Sequence, residues 1–124
     1  MNLNQITIPS QDLERSISFY ETLGLQLIVD SRPRYARFMC PDGGSSFSLQ
    51  YTEHLAQGDG VHIYFECQDL DSKVAHLQQQ GIDFLSGPED QRWLWREAHL
   101  TDPDNNHLIL YWAGENRLNP PWRI

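Results

Sequence analysis

The densest run of chemically capable side chains goes from Gln91 to His99, reading Gln-Arg-Trp-Leu-Trp-Arg-Glu-Ala-His. Taken as a strand, it turns Trp93, Trp95, Glu97 and His99 to one face and Arg92, Leu94, Arg96 and Ala98 to the other. Indoles beside a carboxylate and an imidazole suit a polar-tipped aromatic pocket, with Glu97 the best candidate for moving a proton. A second arrangement fits equally: one Trp packs on a sheet and the charges face solvent. Asp102-x-Asp104-x-Asn106 mimics the first half of a calcium loop. It lacks the glycine at position six and the glutamate at position twelve, so it reads as turn chemistry. No glycine-rich phosphate loop and no serine in a nucleophile elbow occurs. His54, His76 and His107 read as loop, helix-surface and strand-start residues.

Gln5 and His62 are singled out by spacing. An offset of 57 residues, Asp12 to Asp69, sets Gln11-Asp12-Leu13 on Gln68-Asp69-Leu70. The same offset sets Gly24 on Gly81, Ile17 on Val74, Ile6 on Ile63 and Gln5 on His62. The turns Cys40-Pro-Asp and Asp102-Pro-Asp correspond at an offset near 61 or 62, so a few residues are inserted between. The chain therefore repeats one unit twice.

Each copy has the same elements. Residues 3–8 form an apolar strand ended by Pro9. Asp12 caps a helix with apolar positions Leu13, Ile17, Tyr20 and Leu23, and Gly24 stops it. Strands follow at 25–29, 35–40 and 46–52, with Pro41-Asp-Gly-Gly as the tight turn between the last two. In the second copy a strand at 61–67 precedes a helix that ends at Gly81, then strands at 82–85, 93–100 and 107–112. By this repeat Tyr35, Arg37 and Met39 are the counterparts of Glu97, His99 and Thr101. A helix covers one face of each four-stranded sheet, and the other face needs a partner. The expected architecture is α+β: two tandem βαβββ modules forming a curved mixed sheet around a cleft, helices outside. Module one spans about 3–53, module two about 60–113, all in one domain of 1–124. The tail 114–124, with Pro120, Pro121 and Trp122, is expected to be an extended arm anchored by Trp122 on its own domain or a partner chain.

The totals agree with one ordinary globular domain: 124 residues, 40% hydrophobic and 21% charged. A net charge of −8, from 17 acids and 9 bases, disfavours nucleic acid and anionic lipid. No apolar run is long enough for a membrane span, and the N-terminus, without a basic region or a long apolar run, is not expected to be a signal peptide. Cys40 and Cys67 have no metal or redox spacing, so a cytoplasmic location is expected.

The segments Leu-Asn-Gln-Ile-Thr-Ile with Asp-Leu-Glu-Arg-Ser-Ile-Ser-Phe-Tyr-Glu-Thr-Leu-Gly resemble the first module of the vicinal oxygen chelate superfamily. That group includes glyoxalase I, bleomycin- and fosfomycin-resistance proteins, extradiol dioxygenases and methylmalonyl-CoA epimerase. Gly60-Val-His-Ile-Tyr-Phe-Glu-Cys-Gln-Asp-Leu-Asp and Asp102-Pro-Asp-Asn-Asn-His-Leu-Ile-Leu resemble the second, so the likeness covers residues 3 to about 113. The resemblance is specific for fold and poor for reaction. In metal-using members the first and last strands of each module supply ligands; here those positions are Gln5, His62, Ser48 and Ile109, with Phe47 or Gln50 if the register differs by one. None is a carboxylate, whereas hard divalent ions are held largely by anionic oxygen. No cofactor is therefore expected; a weakly bound divalent metal at Gln5 and His62, aided by Glu97 or Glu53, is the alternative. Otherwise His62 is a cavity-wall histidine.

The resemblance implies a metal-independent small-molecule binder that forms a homodimer, with Gln5, Arg37, Ser48, Gln50, His62, Trp93, Trp95, Glu97 and Ile109 lining its cavity. Two alternatives stand beside it: a metal-dependent lyase, isomerase or dioxygenase, and an interaction subunit whose cleft is a dimer seam.

Overall fold

A computed structural model describes all of residues 1–124. It contains β1 (Gln5–Ser10), α1 (Leu13–Leu23), β2 (Gln26–Ser31), β3 (Tyr35–Met39), β4 (Ser46–Tyr51), β5 (His62–Glu66), α2 (Leu70–Gln79), β6 (Ser86–Asp90), β7 (Arg96–Thr101) and β8 (His107–Trp112), then a 3-10 turn at Gly114–Arg117. Two four-stranded sheets have the orders β1-β4-β3-β2 and β5-β8-β7-β6. In each, the first strand runs parallel to the last and the other pairs are antiparallel. The duplicated βαβββ module is thus present in both copies. No helix is long and apolar enough to cross a membrane.

The chain divides into two compact units. Unit 1 is Met1–Gly58 with Asp102–Asn105, and unit 2 is Asp59–Thr101 with Asn106–Ile124. In unit 1, α1 lays Leu13, Ile17, Tyr20 and Leu23 against Ile8, Ala36, Phe38, Phe47 and Leu49, all buried. The Tyr20 and Phe47 rings meet at 4.6 Å between centroids. The α1 ends follow the sequence: Asp12 accepts from the Arg15 amide at 3.1 Å, and Gly24 takes the left-handed φ of 107°. The β7–β8 turn belongs with this unit. Asp102 and Asp104 are buried there, bonded to Tyr20 and Ser16 of α1 at 2.5 and 2.7 Å, and Asp104 also accepts from the Gln11 amide at 2.8 Å.

In unit 2, α2 buries Leu70, Val74 and Leu77, while Ile63, Ala98, Leu100, Leu108 and Leu110 are among the buried residues of the sheet. Asp69 stands at the helix start without a side-chain capping bond, unlike Asp12.

Four expectations need correction. The first strand begins at Gln5 and continues through Pro9 to Ser10; it lies at the end of its sheet order, where a proline's missing N–H is tolerated. The strand expected at 82–85 is instead β6, Ser86-Gly-Pro-Glu-Asp90, at the end of the other sheet and interrupted by a register shift between Ser86 and Glu89. The strand expected at 93–100 begins only at Arg96. Residues 91–95 are a turn, closed by Gln91 N–H to Trp95 O at 2.7 Å and Leu94 N–H to Gln91 O at 3.0 Å, with Leu94 at φ 69°. The tail is not wholly extended, since Gly114–Arg117 forms a 3-10 turn, and Trp122 is 57% exposed rather than anchored on its own chain.

Candidate functional site

In each unit one sheet face carries the candidate site residues, Gln5, Tyr35, Arg37 and Ser48 in unit 1 and His62, Tyr64, Glu97, His99 and Tyr111 in unit 2, and pairing confirms which positions are equivalent. Gln5 pairs with Ser46 as His62 pairs with His107. Arg37 pairs with Ser48 as His99 pairs with Ile109. Tyr35 and Glu97, one step along, are equivalent too. The same backbone grid therefore holds two different chemistries.

Unit 1 builds a network of amide, hydroxyl and phenol groups. The Gln5 amide nitrogen donates to Ser48 Oγ at 2.9 Å and Thr7 Oγ1 at 3.3 Å, and its carbonyl oxygen accepts from Ser46 Oγ. Ser48 is fully buried and shares a hydrogen bond of 2.7 Å with the Tyr35 hydroxyl, which accepts from Arg37 Nε at 2.8 Å. Partial burial works to raise the Tyr35 phenol, but the hydrogen bonds to Ser48 and Arg37 and the Arg37 charge together hold it below the usual range. Gln50 is exposed and donates to the Arg34 carbonyl at 3.3 Å, outside this network.

Unit 2 puts imidazoles and a carboxylate in the corresponding places. Glu97 is only 2% exposed. Its Oε2 accepts from Trp93 Nε1 at 2.6 Å, and Oε1 lies 2.9 Å from His99 Nε2. His99 Nδ1 lies 2.8 Å from His107 Nε2, and the His107 and His62 rings stack at 4.4 Å. Burial, then the neighbouring His62 and His99, pushes His107 below the ordinary histidine value. Beside this group stand three aromatic rings. Trp95 stacks on Tyr111 at 4.8 Å, and Tyr64 meets both edge-on at 5.7 and 5.3 Å. Ile109, at 1% exposure, lies in the same row as Tyr64 and His99. Burial raises the Tyr64 and Tyr111 phenols, helped by Glu97 at Tyr64 and Glu66 at Tyr111.

The expected cavity residues thus separate by unit. Gln5, Arg37 and Ser48 join one network; His62, Trp93, Trp95, Glu97 and Ile109 share one face of the other unit. Trp93 and Trp95 reach that face from the turn rather than from a strand. Tyr35, Tyr64, Tyr111, His99 and His107 complete the two groups. Tyr64 and Tyr111 were readable from alternation with His62 and Ile109, and His107 from its place two residues before Ile109. A depression of about 260 Å³ at the start of α2, lined by Asp69, Asp71, Arg96 and Trp112, involves none of these residues.

Of the four positions that supply ligands in metal-using members, His62 alone carries an imidazole and none carries a carboxylate. Gln5 spends both amide atoms on Ser46, Ser48 and Thr7; Ser48 is buried in the same network; Ile109 has no donor. Glu97, the carboxylate named as an aiding donor, is engaged by Trp93 and His99. No group of three or more histidine, cysteine or acidic residues is placed to hold a metal.

Comparison with known proteins follows the same lines. The chain is 28% identical over 127 residues to the uncharacterized protein YraH of Bacillus subtilis (strain 168), covering 90% of this chain and 98% of that one. It is 26% identical over 126 residues to a trivalent organoarsenical cleaving enzyme of Bacillus sp. (strain MD1), covering 89% and 74%. Its fold matches a bleomycin-binding protein complexed with bleomycin at TM-score 0.73 and 22% identity, covering 90% and 98%. The family model of the Glyoxalase/Bleomycin resistance protein/Dioxygenase superfamily matches residues 2–110. With the duplicated βαβββ module and nearly the whole chain matched, this protein belongs to that superfamily.

Proposed function

We propose that the chain binds a small aromatic molecule without a tightly held metal, on the face of unit 2 that carries Tyr64, Trp95, His62 and His99. One observation carries this reading. Partly exposed rings, Tyr64 at 44% and Trp93 at 40%, stand beside a floor whose buried polar atoms are already paired, as Glu97 is. Such a surface offers stacking area and a few fixed polar groups, which is what a small-molecule site needs. The donor set at the metal positions, without a carboxylate, supports a metal-free mode. The fold match to a bleomycin-binding protein is consistent with this reading.

Two cysteines without metal or redox spacing, Cys40 and Cys67, favour a cytoplasmic location, and the exposed Leu118 and Trp122 of the tail favour a homodimer. The test is a titration of intrinsic tryptophan fluorescence with a panel of aromatic compounds, with and without chelator. Saturable quenching that Trp95→Ala weakens about tenfold supports the reading; quenching abolished by chelator would favour a metal-dependent enzyme.

A further inference from the structure

In unit 1 one line of hydrogen bonds runs in a single direction. The Gln5 amide nitrogen donates to the Ile6 carbonyl at 2.9 Å, and a carbonyl only accepts, so that end of the amide is fixed as nitrogen. Its other hydrogen goes to Ser48 Oγ at 2.9 Å, nearer than Thr7 Oγ1 at 3.3 Å. Ser48 is fully buried, and its remaining partner is the Tyr35 oxygen at 2.7 Å, so Ser48 donates there. Tyr35 therefore accepts twice, from Ser48 and from Arg37 Nε at 2.8 Å. Its own hydrogen is left over, with no acceptor on the chain.

Arg37 ends the same way. Its Nε is spent on Tyr35, while Nη1 and Nη2 meet no acceptor. Ion pairs join Arg32 to Asp30 and Arg96 to Asp71 and Asp90, and none reaches Arg37. The residues paired with Tyr35 and Arg37 are Ser31 and Val29 of β2 and Gln50 and Ser48 of β4, all uncharged. In a chain of net charge −8, this cation is held by neutral groups alone and keeps its charge for a partner from outside.

We propose that Tyr35 and Arg37 form an oxyanion site, which takes the carboxylate or phosphoryl group of a small molecule between the phenol hydrogen and the Nη edge of the guanidinium. An oxyanion offers only acceptors, and only donors remain at this place. Arg37 supplies the charge and a planar fork already fixed at Nε, and Tyr35 supplies one further hydrogen bond. Gln5 and Ser48 are positioning residues, because their hydrogens decide which way the phenol hydrogen turns. No proton is transferred and no bond is broken.

The test is an NMR titration of isotope-labelled full-length protein. The probes are acetate and inorganic phosphate, with acetamide as the uncharged match for acetate. None carries a ring, so the outcome is independent of the aromatic surface proposed on unit 2. Acetate or phosphate should shift the Arg37 Nε–H and Tyr35 ring signals saturably, with half-saturation on the order of millimolar, and acetamide should leave them in place. The anion that binds more tightly names the class, carboxylate or phosphoryl. Arg37→Gln, followed at the Tyr35 ring, should weaken binding about tenfold, and Tyr35→Phe, followed at Arg37, about threefold. Arg34→Gln, which removes an equal charge one residue before β3, should leave the affinity as it is. The site is overturned if neither anion gives a saturable shift, if acetamide acts as acetate does, or if binding survives Arg37→Gln. An equal loss with Arg34→Gln overturns it too, by showing general attraction to positive charge. Binding unchanged in Tyr35→Phe overturns the direction assigned to the hydroxyl, and the site with it.

Discussion

The Tyr20 hydroxyl donates to Asp102 Oδ2 at 2.5 Å, joining a fully buried α1 residue to the turn between β7 and β8. Ser16 and the Gln11 amide hold Asp104 alongside, and Arg15 donates to the Pro103 carbonyl at 2.9 Å. Tyr20→Phe removes a charge-assisted bond at a buried carboxylate, which costs about 1–3 kcal/mol. A lower denaturant midpoint with unchanged slope in chemical unfolding is the expected result.

The same pair makes stability sensitive to alkali. Burial, then the charge and hydrogen bond of Asp102, pushes the Tyr20 phenol far above its ordinary 10.0. The folded state therefore keeps this proton where the unfolded chain releases it, so the contribution is complete below about pH 10 and declines above it. Wild-type stability should fall above that pH, and Tyr20→Phe should lack that part of the fall.

His107 gives the opposite limb. Its pKa lies below the ordinary 6.5, so the unfolded chain takes up a proton before the folded one does. The stability it contributes is complete above pH 6.5 and is lost as pH falls through the lower folded value. Thermal unfolding between pH 7 and 5 should show a decline that His107→Asn reduces.

Metal content tests the donor chemistry. Protein purified without chelator should carry well under one divalent ion per chain by elemental analysis, and chelator should leave its melting temperature unchanged. A stoichiometric metal lost on substitution of His62 would favour the metal-dependent enzyme.

For the tail, deletion from Arg117 onward should weaken self-association more than it lowers the melting temperature. Sedimentation of the intact chain as a monomer at tens of micromolar would remove the homodimer proposal.

What could be read from the chain follows from how local each signal is. Gly24 and Asp12 act within their own helix, and both behaved as their residue types require. The equivalence of Gln5 with His62 needed only spacing, because a repeated module repeats its register. Ser86-Gly-Pro-Glu-Asp90 was missed because glycine and proline hide a strand whose existence depends on pairing with β7. Alternation misled at residues 91–95, where the turn at Leu94 broke the period yet still delivered both indoles to the expected face. Glu97 reads in the sequence as the best candidate for moving a proton, but its place as an occupied partner of Trp93 and His99 depends on side-chain geometry that no spacing encodes. Asp102 and Asp104 were read as turn formers, and their bonds to residues more than 80 positions earlier carry no local signature.

The allocation of Asp102–Asn105 to the first unit bears on inheritance. Duplication made two copies in tandem, yet the break between them in the gene is not the break in the folded object. A recombinant taking only its second copy from a relative would import a turn that must suit the resident Gln11, Ser16 and Tyr20. Those three positions and the two aspartates would then have to travel together, which makes the copies inseparable as units of exchange.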